Sequence, residues 1–182
     1  MKRRIVLAAL LALTPAAARA QIGVEILQRR PLAEAARDGN LEVLRARLAA
    51  NDTPNQLDLE SRPAILLAAA NNHLEAVRML LESRANPDLR DRQNRTGMMW
   101  AAERGHARIV EALLQGRANP NLDDRTGTTA LMIAAREGHV RVVEVLLRGG
   151  ADRDKTDATG RTALDIAQLG NRRNVVEALR RP

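Results

Sequence analysis

TALMIAARE (Thr129–Glu137), then Gly138 and His139, then VRVVEVLLR (Val140–Arg148) and Gly149-Gly150, is the stretch that decides the fold. It opens on a Thr able to cap a helix N-terminus and continues with apolar residues at helical spacing. Gly138 and His139 break that short helix. Val140, Val142, Val143, Leu146 and Leu147 then lay an apolar stripe along a second helix, which stops at the glycine pair. Ala151 to Gly160 is polar and suits a turn leading into the next Thr162. The unit is two antiparallel helices and a loop.

Sliding the chain by 33 residues repeats this unit without a gap. Gly39, Asn72, Gly105, Gly138 and Asn171 fall in one column; Leu32, Ile65, Met98, Leu131 and Leu164 in another; Ala35, Ala68, Ala101, Ala134 and Ala167 in a third. Several columns held in phase over five copies mark an internal repeat. No single copy can hide its own stripe, so the copies must stack as a solenoid. The ends carry charge where the interior is apolar. The column Leu80, Leu113, Leu146 begins with Arg47, the column Leu81, Leu114, Leu147 ends in Arg180, and Val140 is replaced by Arg173. The first and last copies therefore read as caps.

Composition agrees with an all-α chain. Of 182 residues, 45% are hydrophobic, but there is no Phe or Tyr, and Trp100 is the single Trp. The core must be built from Ala, Leu, Val, Ile and five Met, and the abundance of Ala, Leu, Arg and Glu favours helix. Cysteine is absent, which excludes disulfides, thiolate metal sites and a cysteine nucleophile. Residues 1–20 have a basic start (Lys2, Arg3, Arg4), an apolar run from Ile5 to Leu13 and an Ala18-Arg19-Ala20 end. That is the layout of a removable export signal cut after Ala20. The run is far short of the roughly 20 apolar residues that cross a bilayer. Removing the segment lowers the formal charge from +7 to +3, so nucleic acid is not an expected partner. In a bacterium the expected destination is the periplasm or the outside of the cell.

The residues resemble the ankyrin repeat family. The matching stretches are T-x-L-x-x-A at Thr129–Ala134 and Thr162–Ala167, A-A-x-x-G-H at Ala101–His106 and Ala134–His139, V-x-x-L-L at Val77–Leu81, Val110–Leu114 and Val143–Leu147, and G-A-D at Gly150–Asp152. The resemblance implies an ankyrin-type solenoid over residues 21–182, with copies at about 30–61, 62–94, 95–127, 128–160 and 161–182. The family's T-P-L-H motif is altered: Ala64, Gly97, Ala130 and Ala163 replace Pro, and Leu66, Met99, Met132 and Asp165 replace His. The His hydrogen bonds that tie neighbouring copies in many members are therefore expected to be missing.

Catalytic and cofactor chemistry finds no support. His73, His106 and His139 stand one layer apart, about 8–10 Å for packed helices, whereas zinc needs its nitrogens about 2.0–2.1 Å from one point. They read as residues closing the inter-helix turn. Ser61 and Ser83 have no elbow motif or acid-base set around them, and no glycine-rich phosphate loop is present. No enzyme activity, cofactor or metal is expected. Asp165 reads as a backbone contact, Met98, Met99 and Met132 as core fillers, and Trp100 as partly buried, since it shares a column with Leu67, Ile133 and Ile166.

What the resemblance implies about partners is a protein held along the loop tips and the exposed side of the first helix. Carried over, those places are Arg92, Gln93, Arg95, Glu103 and Arg104 in one copy and Arg125, Thr126, Thr128, Arg136 and Glu137 in the next, with Arg62 and Arg161 continuing the face. The position before each capping residue reads Arg29, Arg62, Arg95, Thr128, Arg161. Such a row is expected to form a basic ridge for an acidic protein surface. The alternative is arginines paired with Glu103, Glu137 or Asp91. The leading expectation is a monomeric scaffold that binds protein; the runner-up is a binder of lipid headgroups or acidic polymers through the same ridge, with salt-sensitive affinity.

Overall fold

The computed structural model describes residues 31–181; the expected export signal and Arg29 lie outside them. Ten helices follow in pairs: α1 (Pro31–Asp38) with α2 (Leu41–Ala49), α3 (Ala64–Ala70) with α4 (Leu74–Glu82), α5 (Gly97–Glu103) with α6 (Ala107–Gln115), α7 (Ala130–Glu137) with α8 (Val140–Arg148), and α9 (Ala163–Leu169) with α10 (Arg173–Arg180). Among the described residues there are isolated bridges but no strand. The first helices pack on one another in a row, α1 through α9, and the second helices form a parallel layer, α2 through α10. The described residues form the all-α solenoid of five stacked pairs that the 33-residue register predicts.

Each start has a local cause. Thr96, Thr129 and Thr162 occupy the N-cap of α5, α7 and α9, and each hydroxyl accepts the amide three residues on. Asp165 closes the last as a capping box: its Oδ2 accepts the Thr162 amide at 2.9 Å and hydroxyl at 2.6 Å. The contact with backbone expected of Asp165 is thus made. The first copy has Arg30 in the column of the capping Thr, and Gln56 from the following loop serves α1, its Oε1 accepting the amides of Leu32 and Ala33.

The alanine column Ala35, Ala68, Ala101, Ala134, Ala167 is buried along the row of first helices, where small side chains let the helices approach. On the second layer Leu80, Leu113 and Leu146 are fully buried, each contributing about 1.5–3 kcal/mol of apolar burial. Met98, Met99 and Met132 are in the core, and Trp100 is half-buried. Arg47, Arg173 and Arg180 are exposed, as capping copies require.

Neighbouring copies are tied by a different histidine column from the one the family motif uses. His73 Nε2 lies 3.0 Å from the Arg37 carbonyl and His139 Nε2 3.0 Å from the Glu103 carbonyl, one copy back. At the C-terminal end Arg172 takes the same place, donating to the Arg136 carbonyl at 3.0 Å. These are not the motif's own histidine bonds, whose positions hold Leu66, Met99, Met132 and Asp165. The altered motif removes one set, and His73 and His139, each ending an inter-helix turn, supply another, which spacing alone does not disclose because the acceptor is a backbone carbonyl.

Candidate docking face

The loop before each first helix is built by an aspartate. Asp58, Asp91, Asp124 and Asp157 stand 33 residues apart, and each carboxylate accepts the amides two and four residues on. A residue with positive φ, Ser61, Asn94, Gly127 or Gly160, turns each loop back. Successive loops are joined: Arg92 Nη2 donates to Ser61 Oγ at 3.1 Å, and the Ala158 amide to the Thr126 carbonyl at 2.9 Å.

This geometry places the arginine row. Arg62 is bound to Asp58 at 2.7 Å and to Glu60 at 3.2 Å, Arg161 to Asp157 at 2.9 Å, and Arg95 to Glu103 at 3.0 Å. A free basic ridge is therefore corrected to a row of internally paired guanidiniums. For Arg62 and Arg161 the reason is the turn itself, which brings residue i+4 back over the carboxylate of residue i; Arg95 instead reaches Glu103 at the end of α5. Of the other residues expected on this face, Thr126 and Thr128 share a hydroxyl contact of 2.8 Å, Gln93 gives its amide to Asp91, and Arg125 is exposed.

The carboxylates of the loops carry the pH dependence. Thr159 and then Arg161 hold Asp157 well below the ordinary carboxylate range, and Thr162 holds Asp165 down. Burial pushes Asp58 and Asp124 up, but the amides and side chains of their loops outweigh it and leave both lowered. His106 is lowered by burial and by the charges of Arg104 and His139, against the Ala70 carbonyl that supports its protonated form. A depressed folded value stabilises above the unfolded pKa and is lost as pH falls. Melting temperature should thus decline gently below pH ~6.5, from His106, and steeply below about 3.9, from the aspartates. Thermal melts by circular dichroism from pH 7 to 3 check this, and a flat profile contradicts it.

Five of the expected residues join in one cluster beside Trp100. Glu103 binds Arg95 at 3.0 Å and lies 3.9 Å from Arg136, which binds Glu137 at 3.0 Å. The Arg95 guanidinium lies 4.0 Å and that of Arg104 5.5 Å from the indole centroid, within cation–π range. Arg95 Nε is buried without a hydrogen-bond partner among the described residues. The indole N–H donates to Asp91 Oδ2 at 2.9 Å. Asp91→Ala frees that donor and two loop amides, so we expect a loss of about 2 kcal/mol and a red shift of Trp100 emission. Unchanged emission contradicts the assignment.

Beside Trp100 a groove of about 400 Å³ opens between the first helices of copies one to three. Ala70 and Asn71 form part of it, with Arg37 and Asp38 on one side and Arg104 on the other. These occupy the same two repeat columns as Glu103, Arg104, Arg136 and Glu137. Arg37, Asp38, Ala70 and Asn71 are the members that sequence reasoning missed. The signal was there, since Ala70 stands where copies one, three and four have Arg37, Glu103 and Arg136. The groove exists because that side chain is short.

The family model described as Ankyrin repeats (3 copies) matches residues 9–91, 32–124 and 98–181. This chain belongs to the ankyrin repeat family. A search of curated proteins gave no match. Ankyrin repeats indicate a protein-protein interaction scaffold and are generally non-enzymatic. Among its described residues no group of three or more His, Asp or Glu could hold a metal ion, and no helix is long and apolar enough to cross a membrane.

Proposed function

We propose that this ankyrin repeat protein is exported to the periplasm or the cell exterior and, as a monomer, holds a partner protein against its loop tips and first-helix face. The observation that carries the reading is Trp100, a large side chain left half-buried on that face beside an open groove. Aromatic and arginine side chains anchor most protein interfaces, and here both meet at one place. The internal pairing of Arg62, Arg95 and Arg161 favours a shaped protein surface over lipid headgroups or acidic polymers, which ask only for free charge.

Two experiments test it. The N-terminus of the protein recovered from the exported fraction should begin at Gln21; an intact Met1 start contradicts export. Crosslinked pull-downs from that fraction, with the chain from Gln21 as bait, should recover a discrete protein that Trp100→Leu bait, carrying the residue of the neighbouring copy, fails to hold. Equal recovery by both baits contradicts the face.

A further inference from the structure

Resting on that reading, we infer that the groove beside Trp100 takes an acidic segment of the partner, seating one carboxylate on Arg104 with an apolar neighbour against the indole. Three arginines and one aspartate line the groove. Arg37 is held by Asp38 at 3.1 Å and Arg62 by Asp58 at 2.7 Å. Arg104 differs. Its Nη1 donates to the Ala70 carbonyl, but among the described residues no carboxylate lies within 4.0 Å of its guanidinium, and the residue is exposed. The remaining donors of its planar fork suit a carboxylate in bidentate geometry.

The floor beneath is Leu66, Leu67 and the Ala70 methyl, so the groove is cationic at one rim and apolar below. A basic segment meets three guanidiniums there, and a purely apolar one leaves Arg104 unmatched. The same column shows what happens when the site is filled. Glu103, one copy on, is already bound by Arg95 and lies near Arg136, and at Ala70 a partner's acid takes the place of the missing side chain.

The test screens a display library of random dodecapeptides against the full chain at low salt. Selected peptides should be enriched in Asp or Glu next to Leu, Ile or Val. They should shift the emission of Trp100, the one fluorophore in a chain without Tyr or Phe. Ala70→Glu fills the groove with the residue its neighbour tolerates, and Arg104→Glu reverses the rim; each should weaken binding at least tenfold. A peptide with Lys in place of its acids should recover binding to Arg104→Glu. Trp100→Leu, which keeps a core residue of the same column, guards against misfolding of the charged variants and should also lose affinity. Selected peptides without acid enrichment, or affinities indifferent to Ala70→Glu and Arg104→Glu, overturn the inference. If those peptides are instead lost on changing Arg92 and Arg125 at the loop tips, the scaffold reading stands without this groove. If the library yields no binder at all, both fall.

Discussion

Leu113→Ala should lower the melting temperature by roughly 10 °C. Leu113 is fully buried in α6, which packs against α4 of the preceding copy and α8 of the following one. Truncation removes apolar contact on both sides and leaves a cavity that neither neighbour can collapse into alone, which costs about 2–5 kcal/mol. For a chain of this size each kcal/mol shifts the melt by about 2–4 °C. Leu169→Ala is the control. That leucine is 69% exposed at the end of α9, and its loss should move the melt by less than 2 °C, within the usual range of about 0.5 kcal/mol for surface substitutions. Differential scanning calorimetry on the two variants reads the contrast, and equal shifts contradict the assignment of burial to stacking.

Gly105→Ala should cost more than Gly160→Ala, although both glycines have the same left-handed backbone. Gly105 has φ +74° and Gly160 +79°, so each substitution carries a strain of roughly 1–2 kcal/mol for an L-residue there. Around Gly160 a new Cβ meets nothing within 4 Å. On Gly105 it would lie 2.9 Å from the His139 ring of the next copy, and that ring bonds the Glu103 carbonyl. The methyl must displace the histidine and break the tie, which adds about 1 kcal/mol. The melt of Gly105→Ala should therefore fall by roughly 4–12 °C in all, and its amides around Glu103 to His106 should exchange faster with deuterium. Equal costs at the two glycines contradict a role for His139 in joining the copies.

The apolar columns were legible because burial imposes them: Ala35 through Ala167 and Leu80 through Leu146 can hide their side chains only against a neighbouring layer. Thr caps and charged end copies were legible for the same reason, since each answers to local backbone geometry or to the absence of a next copy. The polar columns were harder. Arg62, Arg95 and Arg161 look free in one dimension, and they are neutralised only by the loop that folds Arg62 onto Asp58 and Arg161 onto Asp157 and by the helix end that brings Glu103 to Arg95. The aspartate row was as regular as the arginine row, but its partners are backbone amides that no residue type announces. The groove at Ala70 was harder to see because it arises from a short side chain between Arg37 and Glu103, a break in a charged column and not a motif.

The most direct measurement on the whole account removes one inner layer, residues 97–129, joining Thr96 to Ala130 so that the 33-residue register is kept. If the copies are stable only through the faces they cover for one another, the shortened chain should still melt in a single cooperative transition, several degrees below the full chain. An unaltered melting temperature, or two separate transitions, would mean that the helical pairs stand alone, and the continuous docking face built on their stacking would go with them.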